Sequence, residues 1–286
     1  MPKLSVIVIT RNEAANIGAA LDSVAWADEI VVVDAESTDD TAAIARAHGA
    51  RVEVRPWPGY AAQKNYAASI ASHDWLLSLD ADERVTPELA TEIRALMATA
   101  GDLPARGYRM PRVTYAFDRW IRTTDWYPDR QLRLYDRRVG RWNETQRVHE
   151  SVTLTPTPQQ GATGPAGAGT SSADIHAGSR AGVEVGELRA ELQHLGYHGI
   201  AHHLGTINRY TTLAAEDMSM QGRRAGAAAL LVHGPAAFLR NYLLRGGWRD
   251  GTVSLVISLM NSYYVLLKHI KLWELQRRAP RPPADA

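Results

Sequence analysis

The sequence predicts an α/β protein whose largely parallel sheet carries helices on both faces and continues into a helical C-terminal extension. Three observations carry this. Short β-branched runs recur along the first 80 residues, helical patterns separate them, and polar clusters follow at or near the ends of the runs. Ligands of such sheets gather beyond the C-terminal ends of the strands, so those clusters are where chemistry is expected.

In order, "LSVIVIT" reads as a buried strand, "AANIGAALDSVAWA" as a helix and "EIVVVDA" as a second strand. "STDDTAAIARAHG" reads as a helix capped by Ser37 or Thr38 and ending near Gly49. "RVEVRPW" is a third strand, "YAAQKNYAASIAS" a helix, "DWLLSLD" a fourth strand and "TPELATEIRALMA" a further helix. The Arg- and aromatic-rich stretch that follows holds alternating runs, "RQLRLYDRR" and "SVTLT", expected as strands of an added, partly antiparallel region. Residues 156–182 are dense in Gly, Pro, Ser and Ala and are expected to form a flexible insertion. Helix is expected again from "GELRAELQHLGY" to about Arg278, and "RAPRPPADA" as a frayed tail. The expected organisation is a main domain over 1–217 and a helical, basic region over 218–286.

The 286-residue chain is long enough to bury a substantial core. It has no cysteine, which excludes disulfides and thiolate metal sites and leaves carboxylate oxygen and imidazole as metal ligands. No secretory leader is read at "MPKLSVIVITRNE", because the apolar run is short and meets charge without a cleavage site. Net charge is +1, yet from Met218 onward ten Lys or Arg face three acids. Such a tail suits an anionic membrane surface or an ordinary solvated face. Gly251 to Leu267 is uncharged but interrupted by Ser, Thr and Asn, so a buried or interfacial helix is expected there rather than a spanning one. Arginines interleaved with acids and the lack of a recognition motif give no support for nucleic-acid binding.

Four polar clusters fall at or near strand ends: Thr10 to Glu13, Asp34 to Asp40, Gln63 to Asn65, and Asp80 to Glu83. Together they offer donors, acids and a lysine suited to a nucleotide. In "WLLSLDADERV" an extended backbone would point Asp80 and Asp82 the same way. Their mutual repulsion is relieved if a hard divalent cation, Mg²⁺ or Mn²⁺, sits between them and is completed by substrate phosphates. Lys64 reads either as a phosphate contact or as a solvated helix residue.

"SVIVITRNE", "VVVDAESTDDT", "QKN" and "LDADE", in this order, resemble the family 2 glycosyltransferases of GT-A fold. "DWYPDRQLRLYDRR", "RVHESV", "LQHLGY" and "NRYTTLAA" make the chain similar to the branch with lipopolysaccharide core β-1,4-glucosyltransferases. The resemblance covers Lys3 to Thr155 well and the helical part more loosely. It implies a Rossmann-like, nucleotide-diphospho-sugar-binding mixed sheet and an inverting transfer of a hexose, with UDP-glucose the implied donor. Thr10, Asn12 and Glu13 would line the nucleotide pocket, Asp34 would lie near uracil or ribose, and Gln63 and Lys64 would hold base or phosphate. Asp80 is implied at ribose or metal, and Asp82 at the metal. His194 is a candidate third ligand, or a structural helix residue.

An inverting enzyme also needs a carboxylate to take the acceptor hydroxyl proton. The implied base is Glu150 in "RVHES", with Asp129 in "WYPDRQ" as the alternative beside Trp126 and Tyr127. Arg133 would meet the diphosphate or an acceptor phosphate, or form a structural ion pair. Implied partners are a nucleotide sugar, a glycolipid or saccharide acceptor and the cytosolic face of the inner membrane. The oligomeric state is unknown from sequence. A polyprenyl-phosphate or polysaccharide glycosyltransferase is the alternative enzyme, and a non-catalytic nucleotide-sugar or membrane-binding protein the alternative of another class.

Overall fold

A computed structural model describes residues 1–99, 101–144, 151–155 and 183–277. Glu150, the 156–182 insertion and the terminal "RAPRPPADA" lie outside the described residues. The chain forms two compact units, one of Met1–Val113 with Asp129–Gly196, the other of Thr114–Pro128 with the chain from Tyr197 onward.

The first unit begins with β1 (Leu4–Thr10), α1 (Ile17–Asp22), β2 (Glu29–Asp34), α2 (Thr41–Ala47), β3 (Arg51–Val54), α3 (Tyr60–Ile70) and β4 (Trp75–Asp80). Every residue of β1 is buried, as the apolar-on-both-faces pattern requires of a central parallel strand. β1 pairs in parallel with β2 and with β4, and β2 with β3, in the order β3-β2-β1-β4. β3 is the edge strand and mostly exposed, and it stops at Val54 rather than running to Trp57 as expected. α1 is likewise shorter than the predicted helix.

After Asp80 come β5 (Glu83–Val85), α4 (Pro87–Met97), β6 (Gly107–Ala116, its last three residues belonging to the second unit), β8 (Asp129–Asp136), β9 (Gly140–Trp142) and β10 (Val152–Leu154). The intervening β7 (Arg119–Ile121) also belongs to the second unit. α4 starts as its sequence dictates, with Thr86 Oγ1 accepting Leu89 N–H at 3.2 Å and Pro87 in the first turn. β8 pairs antiparallel with β4 and β6, so the sheet is mixed. Side chains alternate between two cores. Val6, Val8, Leu77 and Leu79 pack with α1 and α4 on one face, and Ile7, Ile9, Val31 and Val33 with α3 on the other.

"GELRAELQHLGY" is not helical. It forms β11 (Val185–Glu187), parallel to β6, and β12 (Leu192–His194), antiparallel to β5. Helical periodicity is overridden here by packing: a Cβ at Gly186 would lie 2.4 Å from the Tyr108 ring, so only glycine lets this strand approach β6. The correction moves His194 from a helix to a strand, opposite Glu83.

In the second unit β7 folds back on Thr114–Ala116, and α5 (Ile200–Met220), α6 (Ala227–Leu239) and α7 (Gly251–Arg277) follow. A π-turn at Arg240–Leu244 and a 3₁₀ turn at Gly247–Asp250 join α6 to α7. Ile121 and Ile257 share a buried cluster with Ala116, and Thr123 Oγ1 donates to Asp250 Oδ2 at 2.6 Å. These contacts place Thr114–Pro128 with the helices. The compact units thus divide after Gly196, and residue 217 lies inside α5. Gly247–Arg277 is a stretch long and apolar enough to cross a membrane by length and composition.

Candidate functional site

β1 is the organiser of the rim. Its register sets Thr10 opposite Asp34 of β2 and Ile9 opposite Asp80 of β4, so the C-terminal ends of three strands meet. The loops after β1 and β2 lock together: Asn12 N–H donates to Ser37 Oγ at 2.8 Å, Thr38 N–H to Asn12 Oδ1 at 2.8 Å, and Glu13 N–H to Thr41 Oγ1 at 2.8 Å. Asn12 and Glu36 adopt positive φ, 55° and 54°, which these side-chain bonds sustain. Asp34 is buried and accepts Ser37 N–H at 2.9 Å and Ser37 Oγ–H, so it shapes the loop that the first cluster leans on.

The third and fourth clusters meet through Lys64. This lysine is buried, with Nζ 2.7 Å from Asp80 Oδ1 and 4.3 Å from the centre of the Trp142 ring. The solvated reading is excluded. Gln63 beside it is fully buried, and neither of its amide atoms has a partner among the described residues; nor does Thr10 Oγ1. Buried groups left unpaired are uncommon, and here they supply spare donors and acceptors beside the rim. Asn65 points elsewhere: its amide pairs both backbone groups of Trp142, each at 3.0 Å.

Both oxygens of Asp80 are engaged by cationic side chains of the chain itself, Oδ1 by Lys64. Its second oxygen, Oδ2, accepts from Arg133 Nη2 at 2.5 Å, and the same Nη2 donates to Glu83 Oε1 at 2.6 Å. Glu83 Oε1 also accepts from Arg112 Nη1 at 3.1 Å, while Arg112 reaches Asp129 Oδ2 through Nε at 2.9 Å and Nη2 at 2.6 Å. Lys64, Asp80, Arg133, Glu83, Arg112 and Asp129 thus form a chain of alternating sign. Burial alone would raise the Asp80 pKa, but Arg133 and Lys64 outweigh it and hold the carboxyl well below its usual range. Burial pulls Lys64 down from its usual value, opposed by Asp80. For Arg133, burial is outweighed by Asp80 and Glu83, and its pKa rises.

Asp129, the alternative base, is held below its usual range because Arg112 and Gln131 outweigh its burial. A carboxylate so engaged is a weakened base. Glu150 lies outside the described residues.

Asp82 is the carboxylate of the triplet that stands outside this network. Its Oδ2 lies 3.4 Å from His194 Nε2, and both side chains are partly exposed. β12 brings His194 there by pairing with β5, and Leu195 N–H fixes the register by donating to Asp82 O at 2.9 Å. Gly196 completes the cradle: a Cβ on it would lie 2.2 Å from Asp82 Oδ2 and 2.5 Å from His194 Nε2. A carboxylate oxygen and an imidazole nitrogen converging there suit a hard or borderline divalent cation. No group of three carboxylate or imidazole side chains converges on one point among the described residues.

Sequence reasoning placed Glu83 in the fourth cluster without a role and missed Arg112 and Gly196. Arg112 is paired in register with Asp129 across β6 and β8, which could be found only by knowing that pairing. Gly196 left a trace, following His194 by two positions in "LQHLGY".

A rim at the C-terminal ends of parallel strands, with a charge-neutralised acid cluster and an acid–imidazole pair, defines a nucleotide-handling α/β protein. The chain belongs to glycosyl transferase family 2, whose model matches residues 5–149. It is an enzyme of the glycosyltransferase class, and its mixed sheet flanked by helices has the GT-A form. It is 29% identical over 293 aligned positions to the lipopolysaccharide core biosynthesis glycosyltransferase LpsC of Rhizobium meliloti, covering 100% of this chain and 98% of that protein. An uncharacterized glycosyltransferase of Rickettsia typhi is 30% identical over 98% of this chain and 89% of its own length. Among solved structures, glucosyl-3-phosphoglycerate synthase from Mycobacterium tuberculosis, crystallised with Mn²⁺, UDP and glucosyl-3-phosphoglycerate, is 27% identical with a TM-score of 0.33. That match covers 38% of this chain and 43% of that one. S. aureus TarS 1–349 matches with TM-score 0.37 and 21% identity over 47% of each chain.

Proposed function

We propose that the protein is an inverting, metal-dependent hexosyltransferase that moves glucose from UDP-glucose to a lipopolysaccharide-core or other glycolipid acceptor at the cytosolic face of the inner membrane. Family membership supplies the reaction class, and the full-length relative named for lipopolysaccharide core biosynthesis supports the acceptor class. The observation that carries the reading is the Asp82–His194 pair at the end of β4, set beside an acid cluster whose charge is already neutralised.

Asp82 and His194 would hold Mg²⁺ or Mn²⁺, which when bound offsets negative charge on the departing diphosphate. Thr10, Gln63 and the Asn12 loop bind and orient the nucleotide. Asp80, saturated by Lys64 and Arg133, acts by fixing the rim around Asp82. The acceptor oxygen bonds to the anomeric carbon while the bond to the diphosphate oxygen breaks, its electron pair leaving with that oxygen. The acceptor proton goes to Glu150. Asp129, tied to Arg112, serves as a strut rather than a base.

A thermal-shift screen of nucleotide-sugar donors with Mn²⁺ tests this, because a ligand that binds only the folded chain stabilises it by mass action. UDP-glucose is expected to give the largest shift, and Glu150→Gln to keep that shift while losing transfer. A donor of another base giving the largest shift, or transfer preserved in Glu150→Gln, overturns the corresponding part.

A further inference from the structure

The second unit carries a surface that the transfer chemistry does not use. Between α6 and α7 the sequence "LRNYLLRGGWR" runs through the π-turn and the 3₁₀ turn. Leu239, Leu243, Leu244 and Trp248 are 51%, 53%, 83% and 56% exposed, and Arg240, Arg245 and Arg249 between them are exposed as well. The π-turn underlies the display. Five residues in a wider turn put Leu243 and Leu244 outward while Asn241 stays buried. Apolar display continues along α7, where exposed Leu259, Tyr263 and Ile270 recur at spacings of four and seven, on one helical stripe.

We infer that this α6–α7 tip is a monotopic membrane anchor that dips its leucines and Trp248 into an anionic leaflet while the three arginines bind lipid phosphate. The inference deepens, and rests on, the reading of a glycolipid acceptor. Charge complementarity selects the occupant: from Gln221 to Arg277 eight Lys or Arg face two acids. A second copy docked through the same tip would set arginines against arginines. Spanning is disfavoured because α7 is tied to its neighbours by polar contacts. Lys271 Nζ donates to Asn208 O at 2.6 Å and to Thr211 Oγ1 at 2.9 Å on α5, and Ser262 Oγ donates to Gly234 O at 2.8 Å on α6. Such a helix can expose one side to lipid without surrendering the other.

Co-sedimentation of the full chain with phosphatidylcholine vesicles, with and without phosphatidylglycerol, tests the anchor. The wild type is expected to bind the anionic vesicles, and Leu243→Glu/Leu244→Glu to lower the partition coefficient at least tenfold. Arg240→Gln/Arg245→Gln/Arg249→Gln should abolish the preference for phosphatidylglycerol. UDP binding measured in parallel should be unchanged in both variants, which separates failure of the anchor from failure of the transferase reading. Slowed hydrogen exchange over residues 239–249 in the presence of anionic vesicles gives a second readout that needs no variant. Absent vesicle binding, unchanged binding of the leucine variant, or a concentration-dependent dimer that the leucine variant dissolves would overturn it.

Discussion

Glu83 Oε1 lies 2.6 Å from Arg133 Nη2, with the two side chains 0% and 4% exposed. This buried pair answers why three acids occur within four residues. Asp80 and Glu83 are counter-charges for Lys64, Arg133 and Arg112, whereas Asp82 stands outside that network beside His194. Removing one partner of a buried pair leaves an uncompensated charge, which costs about 3–5 kcal/mol. Glu83→Gln is therefore expected to lower unfolding free energy by about that amount. Urea denaturation checks this, and a loss below about 1 kcal/mol would show that the guanidinium groups find other partners.

Acid should destabilise the fold through the same network. Asp80 and Asp129 sit below the ordinary 3.8 in the folded chain, because Arg133 and Lys64 at Asp80, and Arg112 and Gln131 at Asp129, outweigh the burial that would raise them. The unfolded chain takes up protons first as pH falls. Stability from these groups is therefore fully present above the ordinary value and lost progressively as pH drops below it toward the folded values. Urea midpoints measured from neutral pH down to about 3 should decline through that window. A flat profile would contradict the network.

Gly196→Ala puts a Cβ 2.2 Å from Asp82 Oδ2 and 2.5 Å from His194 Nε2, so one side chain must swing away. Disturbing groups that orient metal ligands commonly costs about 10–100-fold in affinity. Mn²⁺-dependent UDP affinity should fall by about that factor, while the circular-dichroism spectrum stays unchanged. Wild-type affinity in this variant would remove the Asp82–His194 pair from the site.

Neighbours on α3 should separate cleanly. Asn65 pairs both backbone groups of Trp142, so Asn65→Ala leaves buried amide groups unpaired, at about 1–3 kcal/mol. Stability should drop while UDP affinity is retained. Lost UDP affinity at unchanged stability would assign Asn65 to the rim.

The parallel half of the sheet was legible because β1, β2 and β4 are buried on both faces and leave an unambiguous apolar run. The rim was legible for the same reason, since polar residues there interrupt such runs. β5, β11 and β12 were not, being three residues each and held by pairing rather than by pattern. That is why His194 was expected on a helix. The partners of Arg112 and Arg133 were hidden too, because they depend on the register of β4, β6 and β8 and not on spacing along the chain.

Calorimetric titration of UDP into the full chain, with and without Mn²⁺, in wild type and Asp82→Asn, probes the metal role of Asp82. Binding is expected to depend on Mn²⁺ and to weaken at least tenfold in Asp82→Asn at unchanged melting temperature. Equal UDP affinity in both proteins, or affinity indifferent to Mn²⁺, would contradict that role.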